Sequence, residues 1–162
     1  MDRRVIVQGD PVLGTDTHNV TGPVLTTPLT TYFGTADFDY HGTITDAVSD
    51  FLTIDGRPVA LVTSRSTLDP GEDKAPSGKH AGLSGHNFLP ASPPLLDRSK
   101  VIITDAPLGG GSPNAAAGSA VLTVNGVKVL LDNDPMDTCS GVGAQAGSKV
   151  TAKGQSLVTC SV

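Results

Sequence analysis

Short apolar runs separated by polar turns recur along the chain, and two of them share the same layout. In each copy an apolar strand leads into a two-residue turn, and a second apolar strand follows. The copies are FLTIDGRPVAL at residues 51–61 and VLTVNGVKVLL at residues 121–131. The Asp-Gly and Asn-Gly dipeptides favour type I′ turns, because both turn positions need positive φ. The repetition therefore predicts an architecture of repeated β-hairpins.

Weaker signals extend this pattern. A fainter third copy at residues 150–158 carries Lys-Gly in place of the better turn, and residues 4–8 and 100–104 are typical of single strands. Three loop-rich insertions are expected between these elements, at residues 23–46, 69–99 and 107–118. No stretch has apolar residues at helical spacing. We therefore predict a single all-β domain over residues 1–162, a repeat of short hairpins with little or no helix.

Composition narrows how such a fold is stabilised. The chain has 162 residues with 19 glycines, 12 prolines, no tryptophan and only 4% aromatic residues. A large aromatic core is excluded, so rigidity must come from strand pairing, oligomer contacts or a metal. The net charge is −5 and the basic residues do not cluster, which argues against nucleic-acid binding. The N-terminal residues do not resemble a signal peptide, and no apolar run approaches the roughly 18 residues of a membrane span.

Histidine and cysteine residues follow the strands at comparable places. The second strand of each unit leads towards a loop that contains His18, His80 or Cys139. If three units pack around a pseudo-threefold axis, these side chains meet at one end, and His41 or His86 completes a tetrahedron. Three imidazoles and one thiolate form a good structural zinc site. We therefore predict structural zinc, or iron in its place, bound by four of these five residues.

The segment Tyr40-His41-Gly42-Thr43-Ile44, followed by residues 50–60 with Asp55-Gly56-Arg57-Pro58-Val59-Ala60, resembles the PAAR-repeat pattern. The opening Val7-Gln8-Gly9-Asp10-Pro11 and the later Val124-Asn125-Gly126, Asp134 and Cys139 fit the same scheme. This resemblance implies a small conical β structure that sharpens a trimeric spike. It also implies zinc near the apex, bound by three histidines and one cysteine.

The resemblance further implies the kind of machine that the protein belongs to and its partners. PAAR-type tips serve type VI secretion, extracellular contractile injection particles and contractile phage tails. The expected partner is a trimeric VgrG-like spike protein, one tip per trimer, with effector cargo as a second class of partner. The protein would be cytoplasmic before assembly and then part of an injection particle, without stable membrane anchoring. The expected function is structural, helping to puncture the target envelope, and not enzymatic.

The sequence departs from the family pattern at three places. Thr63-Ser64-Arg65 replaces the expected Gly-Asp, Val127-Lys128 stands where Pro-Val-Ala would begin, and the insertions are long. These departures indicate a divergent PAAR-like subtype. Cys160 lies outside the predicted repeat and is interpreted as a buried thiol.

Two other classes of function remain open. A zinc-dependent hydrolase is suggested by His80 and His86, six residues apart, but the only glutamate is Glu72. The candidate aspartate bases, Asp69, Asp73 and Asp16, do not have convincing spacing. A carbohydrate- or receptor-binding β module is suggested by a group of four aromatic residues. These are Tyr32, Phe33, Phe38 and Tyr40, and local packing of the first insertion is the favoured interpretation of them.

Overall fold

The regular secondary structure of the described residues is almost entirely β-strand. A computed structural model describes residues 2–68, 81–105, 111–138 and 147–161, with the backbone alone at Leu68 and at residues 81–84. The strands are β1 (Asp2–Arg4), β2 (Pro11–Val24), β3 (Thr30–Asp46), β4 (Thr53–Ile54), β5 (Arg57–Pro58), β6 (Arg65–Leu68), β7 (Ala81–Leu89), β8 (Ile102–Ile103), β9 (Ser112–Pro113), β10 (Thr123–Val124), β11 (Val127–Lys128), β12 (Met136–Asp137), β13 (Lys149–Val150) and β14 (Thr159–Ser161). Within these ranges the helical content is one 3-10 turn, Arg98–Lys100, too short to cross a bilayer. The predicted all-β class is confirmed.

The two predicted hairpins form as expected. β4 pairs with β5, and β10 pairs with β11, each across a two-residue turn. The first turn residues, Asp55 and Asn125, have φ of 50° and 51°. The glycines that follow have φ of 73° and 78°. Both turn positions are therefore left-handed, which explains why the sequence places Asp-Gly and Asn-Gly there.

The third unit differs from the prediction. Residues 150–158 do not form a hairpin, because the backbone N–H groups of Lys153 and Gly154 donate to the Asp10 carboxylate. Instead β14 pairs with β1, from the opposite part of the sequence. Gln155 starts this unit in the position of Ser49 and Ser119, since each side chain accepts hydrogen bonds from the backbone two and three residues later.

A closed ring of backbone hydrogen bonds joins the three units. Ile6 N donates to Leu130 O at 3.0 Å, Leu130 N donates to Ala60 O at 3.0 Å, and Ala60 N donates to Ile6 O at 2.9 Å. A second ring runs in the opposite sense: Gln8 N to Pro58 O, Val62 N to Lys128 O, and Asp132 N to Arg4 O. Within each ring of bonds every unit donates to one neighbour and accepts from the other, so the two rings together join each pair of units in both directions. This cyclic pattern is the pseudo-threefold symmetry that the repeat predicted, and we call the structure the hairpin ring.

Side chains alternate across the hairpin ring and form two apolar layers. Ile6, Ala60 and Leu130 point to one side, into a middle layer that also contains Val12, Tyr40, Ile44, Ala117, Met136, Val150 and Ala152. The residues on either side of each point the opposite way, into a base layer. That layer contains Val5, Val7, Ile54, Val59, Leu61, Val124, Val129 and Leu131. Strand alternation therefore separates the two layers with only the ring between them.

A long antiparallel ribbon extends from the ring. β2 and β3 pair continuously from Pro11↔Thr43 to Val24↔Thr30, a length of about 43 Å at the usual strand rise. β8 and β13 pair with β2, while β6 and β7 pair with β3. Most of the first predicted insertion is therefore strand rather than loop. A third apolar cluster lies along the outer part of the ribbon, formed by Val20, Val24, Tyr32, Ala36, Phe38, Phe88, Leu96 and Ile103.

The structure accounts for one departure from the family pattern and corrects another interpretation. Ser64 accepts the Leu61 N–H at 2.8 Å, as Asp10 and Asp134 accept the corresponding N–H groups at 2.9 and 2.8 Å. A hydroxyl therefore replaces the carboxylate at one corner of the ring.

The prediction for Cys160 was wrong on both counts. It occupies the repeat position of the base-layer residues Ile54 and Val124, and it is half-buried rather than buried.

Candidate functional site

A buried polar cluster lies on the inner face of the ribbon. Strand alternation directs Asp16, His18 and Val20 of β2 to the same face. Asp16 is 1% exposed and His18 is fully buried. Charged and polar side chains are rarely buried to this degree without partners, so the partners of these two residues define the site.

Asp105 is the first partner of His18. Its Oδ2 lies 2.7 Å from His18 Nδ1. Asp105 lies two residues after β8, which pairs with β2. Asn19 donates to the Asp105 carboxylate through its backbone N–H and through its side-chain amide, the latter at 2.7 Å. This arrangement directs Nε2 of His18 towards the interior, as in carboxylate–histidine pairs that orient a metal ligand.

Asp16 is the second partner. One of its carboxylate oxygens lies 3.9 Å from His18 Nε2, and the other accepts a hydrogen bond from the Thr138 hydroxyl. The edge of the Phe38 ring packs against the His18 ring at a centroid distance of 5.8 Å. Polar contacts thus surround both nitrogens of His18, and an apolar contact covers the ring.

The cluster favours the charged form of His18. Burial lowers the pKa of the imidazole, but hydrogen bonds and charge interactions with Asp16 and Asp105 outweigh this and raise the pKa above its ordinary value of 6.5. Chemically, the cluster can hold an imidazolium between two carboxylates. It can also present a neutral, oriented imidazole to a metal ion, with loss of a proton.

The other predicted ligands are placed differently. His80 and Cys139 lie outside the described residues, so their meeting with His18 stays a prediction, as does the pairing of His80 with His86 in a hydrolase. His41 is exposed and pairs with Leu13, about 16 Å along the strand from the register of His18. His86 is also exposed and pairs with Asp37. Across residues 2–68, 81–105, 111–138 and 147–161, no three His, Cys, Asp or Glu side chains form a metal-binding group.

The residues next to His80 and Cys139 in the sequence nevertheless lie at the level of the buried cluster. Thr138, which precedes Cys139, contacts Asp16. Ala81, which follows His80, pairs with Asp39 on β3, next to the pair Asp16↔Phe38. Ala81 and Thr138 therefore both lie at the level of Asp16 along the ribbon.

A second candidate site lies on the base layer. Phe51, Val121 and Leu157 are exposed apolar residues, with 64%, 74% and 73% of their surface accessible. Each lies two positions after the residue that begins its unit, so the pseudo-threefold axis relates them. We call them the base triplet. A hollow of about 130 Å³ adjoins Phe51 and is lined in part by Leu61 and Val124 of the base layer.

The predicted aromatic group separates into core and surface residues. Tyr32, Phe38 and Tyr40 are buried, with exposures of 5%, 2% and 0%, and Tyr40 donates or accepts a hydrogen bond with Ser66. Phe33 is 71% exposed on the outer part of the ribbon. Local packing therefore explains three of the four residues.

Sequence reasoning missed Asp105 and Thr138, and it considered Asp16 only as a candidate base of a hydrolase. The alternation Asp16-Thr17-His18 at period two would have placed Asp16 beside His18, had β2 been recognised as a strand. Asp105 and Thr138 have no local signal, because tertiary pairing alone brings them to His18.

Comparison with known protein families, with curated proteins and with solved structures finds no match for this chain. A function must therefore be argued from the buried cluster, the base triplet and the hairpin ring.

Proposed function

We propose that this protein is the tip of a contractile injection machine, where it caps a trimeric β-helical spike and helps it to puncture the target envelope. The observation that supports this most is the base triplet. One chain presents Phe51, Val121 and Leu157 in three related positions, which is what a binding partner with true threefold symmetry can recognise.

The energetics of the base triplet suit docking. Fully burying an exposed Val, Leu or Phe side chain is worth about 1.5–3 kcal/mol, and part of that gain offsets the cost of association. Exposed apolar side chains that follow a symmetry axis are more informative than scattered ones, which are normal on any surface. The hollow beside Phe51 gives a partner side chain a place to enter.

The hairpin ring suits mechanical loading. Its three segments are hydrogen bonded to both neighbours, so the ring has no open strand edge. Buried side chains fill both of its faces. A body of this kind transmits force through many hydrogen bonds at once, and it needs no active site.

Docking is tested with a soluble VgrG-like trimer and native mass spectrometry. We expect one chain per trimer. Val121→Asp places a charge in the base triplet and is expected to weaken binding by about tenfold or more. Phe33→Asp is the matched control, since Phe33 is equally exposed but lies on the ribbon, and it is expected to bind as the wild type does. One bound chain per partner subunit, or equal weakening by both variants, would refute the proposal.

We also propose a structural zinc ion at the buried cluster. His18 fits a ligand, because Asp105 orients its ring and its Nε2 faces the interior. His80 and Cys139 are the other proposed ligands, supported by the positions of Ala81 and Thr138. The exposed His41 and His86 remain the candidates for the fourth. Zinc bound there would tie three segments together and add folding free energy.

Elemental analysis of the purified, tag-free chain tests the metal. About one zinc or iron per chain is expected, and His18→Asn is expected to lose it, with a lower melting temperature. His41→Asn and His86→Asn separate the two candidates for the fourth ligand, because only the variant that lacks the true ligand is expected to lose the metal. Full metal content in His18→Asn, or none in the wild type, would remove zinc from the proposal and leave the docking argument intact.

A further inference from the structure

The end of the ribbon farthest from the hairpin ring is free of charged side chains. Residues 17–36 and 87–96 contain no Asp, Glu, Lys or Arg. These stretches form the outer parts of β2 and β3, the connection between them, and the segment that packs against it. We call residues 20–33 and 88–96 the distal cap.

Large apolar side chains project from the distal cap. Leu29, Phe33 and Leu89 are 71%, 71% and 70% exposed. Leu25 and Leu95 are 53% and 52% exposed, and they lie side by side because Leu25 N donates to Leu95 O at 2.9 Å. Leu25, Leu29 and Leu95 lie at the tip of the ribbon, beyond the pair Pro23↔Thr31, whereas Phe33 and Leu89 lie nearer the ring. An exposed apolar group of this size exceeds what scattered surface residues would give.

Several polar groups of the distal cap bond within the cap itself, and Ser92 accepts a hydrogen bond from the Arg98 guanidinium. The Thr26 hydroxyl donates to Pro28 O at 2.8 Å and lies 3.0 Å from the Thr30 hydroxyl. The Tyr32 hydroxyl donates to Pro90 O at 2.6 Å, and the Thr21 hydroxyl donates to Tyr32 O at 2.9 Å. Prolines also remove backbone donors. They are Pro23, Pro28, Pro90, Pro93 and Pro94. These features lower the cost of taking this end out of water, since an unpaired polar group is what makes desolvation expensive.

We propose that the distal cap inserts into the surface of a lipid bilayer. Internal hydrogen bonding is the condition for backbone and hydroxyl groups to enter hydrocarbon. A protein partner would instead be expected to meet a polar rim able to form hydrogen bonds, whereas the hydroxyls of Thr21, Thr26 and Tyr32 donate within the cap. The absence of Lys and Arg from the cap points to apolar partitioning into neutral lipid rather than attraction to acidic headgroups.

The charged residues nearest the cap are placed where lipid headgroups would lie if the tip of the cap entered the bilayer. Asp97, Arg98 and Lys100 flank it, with Asp97 N donating to Pro23 O. The Arg98 guanidinium lies 5.1 Å from the centre of the Phe88 ring, and Lys100 pairs with Asp97 at 3.2 Å. These groups would lie among the headgroups while Leu25, Leu29 and Leu95 enter by about 5–10 Å, the usual depth of interfacial elements.

This inference deepens the proposed function, because it names what the far end of a spike tip would meet. It is tested without a trimer, so the two proposals can fail separately. The chain has no tryptophan, so Leu29→Trp introduces a single reporter of the surroundings of the cap. Leu157→Trp places the same reporter in the base triplet as a matched control, with 73% exposure against 71%.

With phosphatidylcholine vesicles, the emission of Leu29→Trp is expected to move to shorter wavelength and that of Leu157→Trp to stay unchanged. In flotation with the same vesicles, Leu25→Ser with Leu29→Ser is expected to weaken binding by about tenfold or more. Val121→Ser is the control for loss of an exposed apolar residue elsewhere. Circular dichroism checks that all variants remain folded.

Three results would overturn the proposal. In the first, the emission of Leu29→Trp is unchanged by phosphatidylcholine vesicles. In the second, it shifts only with phosphatidylglycerol vesicles, which would mean attraction to acidic headgroups. In the third, it shifts only with vesicles that carry membrane proteins, which would mean that the cap docks on a protein.

Discussion

Replacing Asp10 by alanine is expected to lower the free energy of unfolding by about 3 kcal/mol or more. The Asp10 carboxylate is fully buried and accepts the backbone N–H groups of Val7, Lys153 and Gly154. Each buried donor left without an acceptor costs about 1–3 kcal/mol. Urea denaturation followed by circular dichroism gives the change in the free energy of unfolding.

Ser64→Ala is the matched control for this substitution. Ser64 occupies the corresponding corner in another unit of the hairpin ring, but among the described residues it accepts only the Leu61 N–H and donates to Ala47 O. Its loss is expected to cost about 1–2 kcal/mol. Equal losses for the two variants would mean that the corner position, and not the number of backbone groups it binds, sets the stability.

Leu130→Ala is expected to cost about 2–5 kcal/mol. The side chain is fully buried in the middle layer, and removing it leaves a cavity in addition to the lost apolar burial. Val121→Ala, at 74% exposure, is expected to change stability by no more than about 0.5 kcal/mol. Thermal or urea unfolding of the two variants provides the measurement.

The hairpin ring offers a sharper form of the same test. Ala60 is the pseudo-threefold counterpart of Leu130, so Ala60→Leu combined with Leu130→Ala moves the volume across the axis without changing the total. Volume-conserving changes in a core are tolerated better than cavities, and the double variant should therefore recover part of the loss. If it is less stable than both single variants, the two positions do not share one packing space.

The parts of the fold that were predictable are those with local causes. Asp55-Gly56 and Asn125-Gly126 carry their turn type in two residues, and the apolar runs on either side set the strands. The matching positions of residues 51–61 and 121–131 also predicted the threefold repeat. Tertiary structure changed none of these features, because the turn chemistry and the alternation agree.

The parts that escaped prediction depend on distant pairing. The third unit joins β1 to β14, and no pattern within either strand identifies the other. The ribbon was not predicted, because β2 and β3 are rich in threonine and glycine and β2 contains Pro11 and Pro23. These residue types are typical of loops. In the structure these strands are long because each pairs with the other along its whole length.

The candidate site divides in the same way. His18 was identified from its place after a strand, and the structure buries it. Asp105 reaches it only because β8 pairs with β2, and Asp16 reaches it only because β2 is a strand. The base triplet could have been read from the repeat, since Phe51 and Val121 are matching positions. Leu157 became recognisable only once the third unit was located.

The pairing of β1 with β14 closes the hairpin ring with two strands that are far apart in the sequence. Two of the three units are local hairpins of continuous chain. The third is held together by hydrogen bonds between residues as much as 159 positions apart, as between Ser161 and Asp2. Closing so long a loop carries an entropic cost that local hairpins avoid, and contacts of such separation slow folding. We therefore expect the pairing of β1 with β14 to be the last part of the ring to form. A load that separates β1 from β14 would open the ring there, while one pressing along the pseudo-threefold axis would be shared by all three corners.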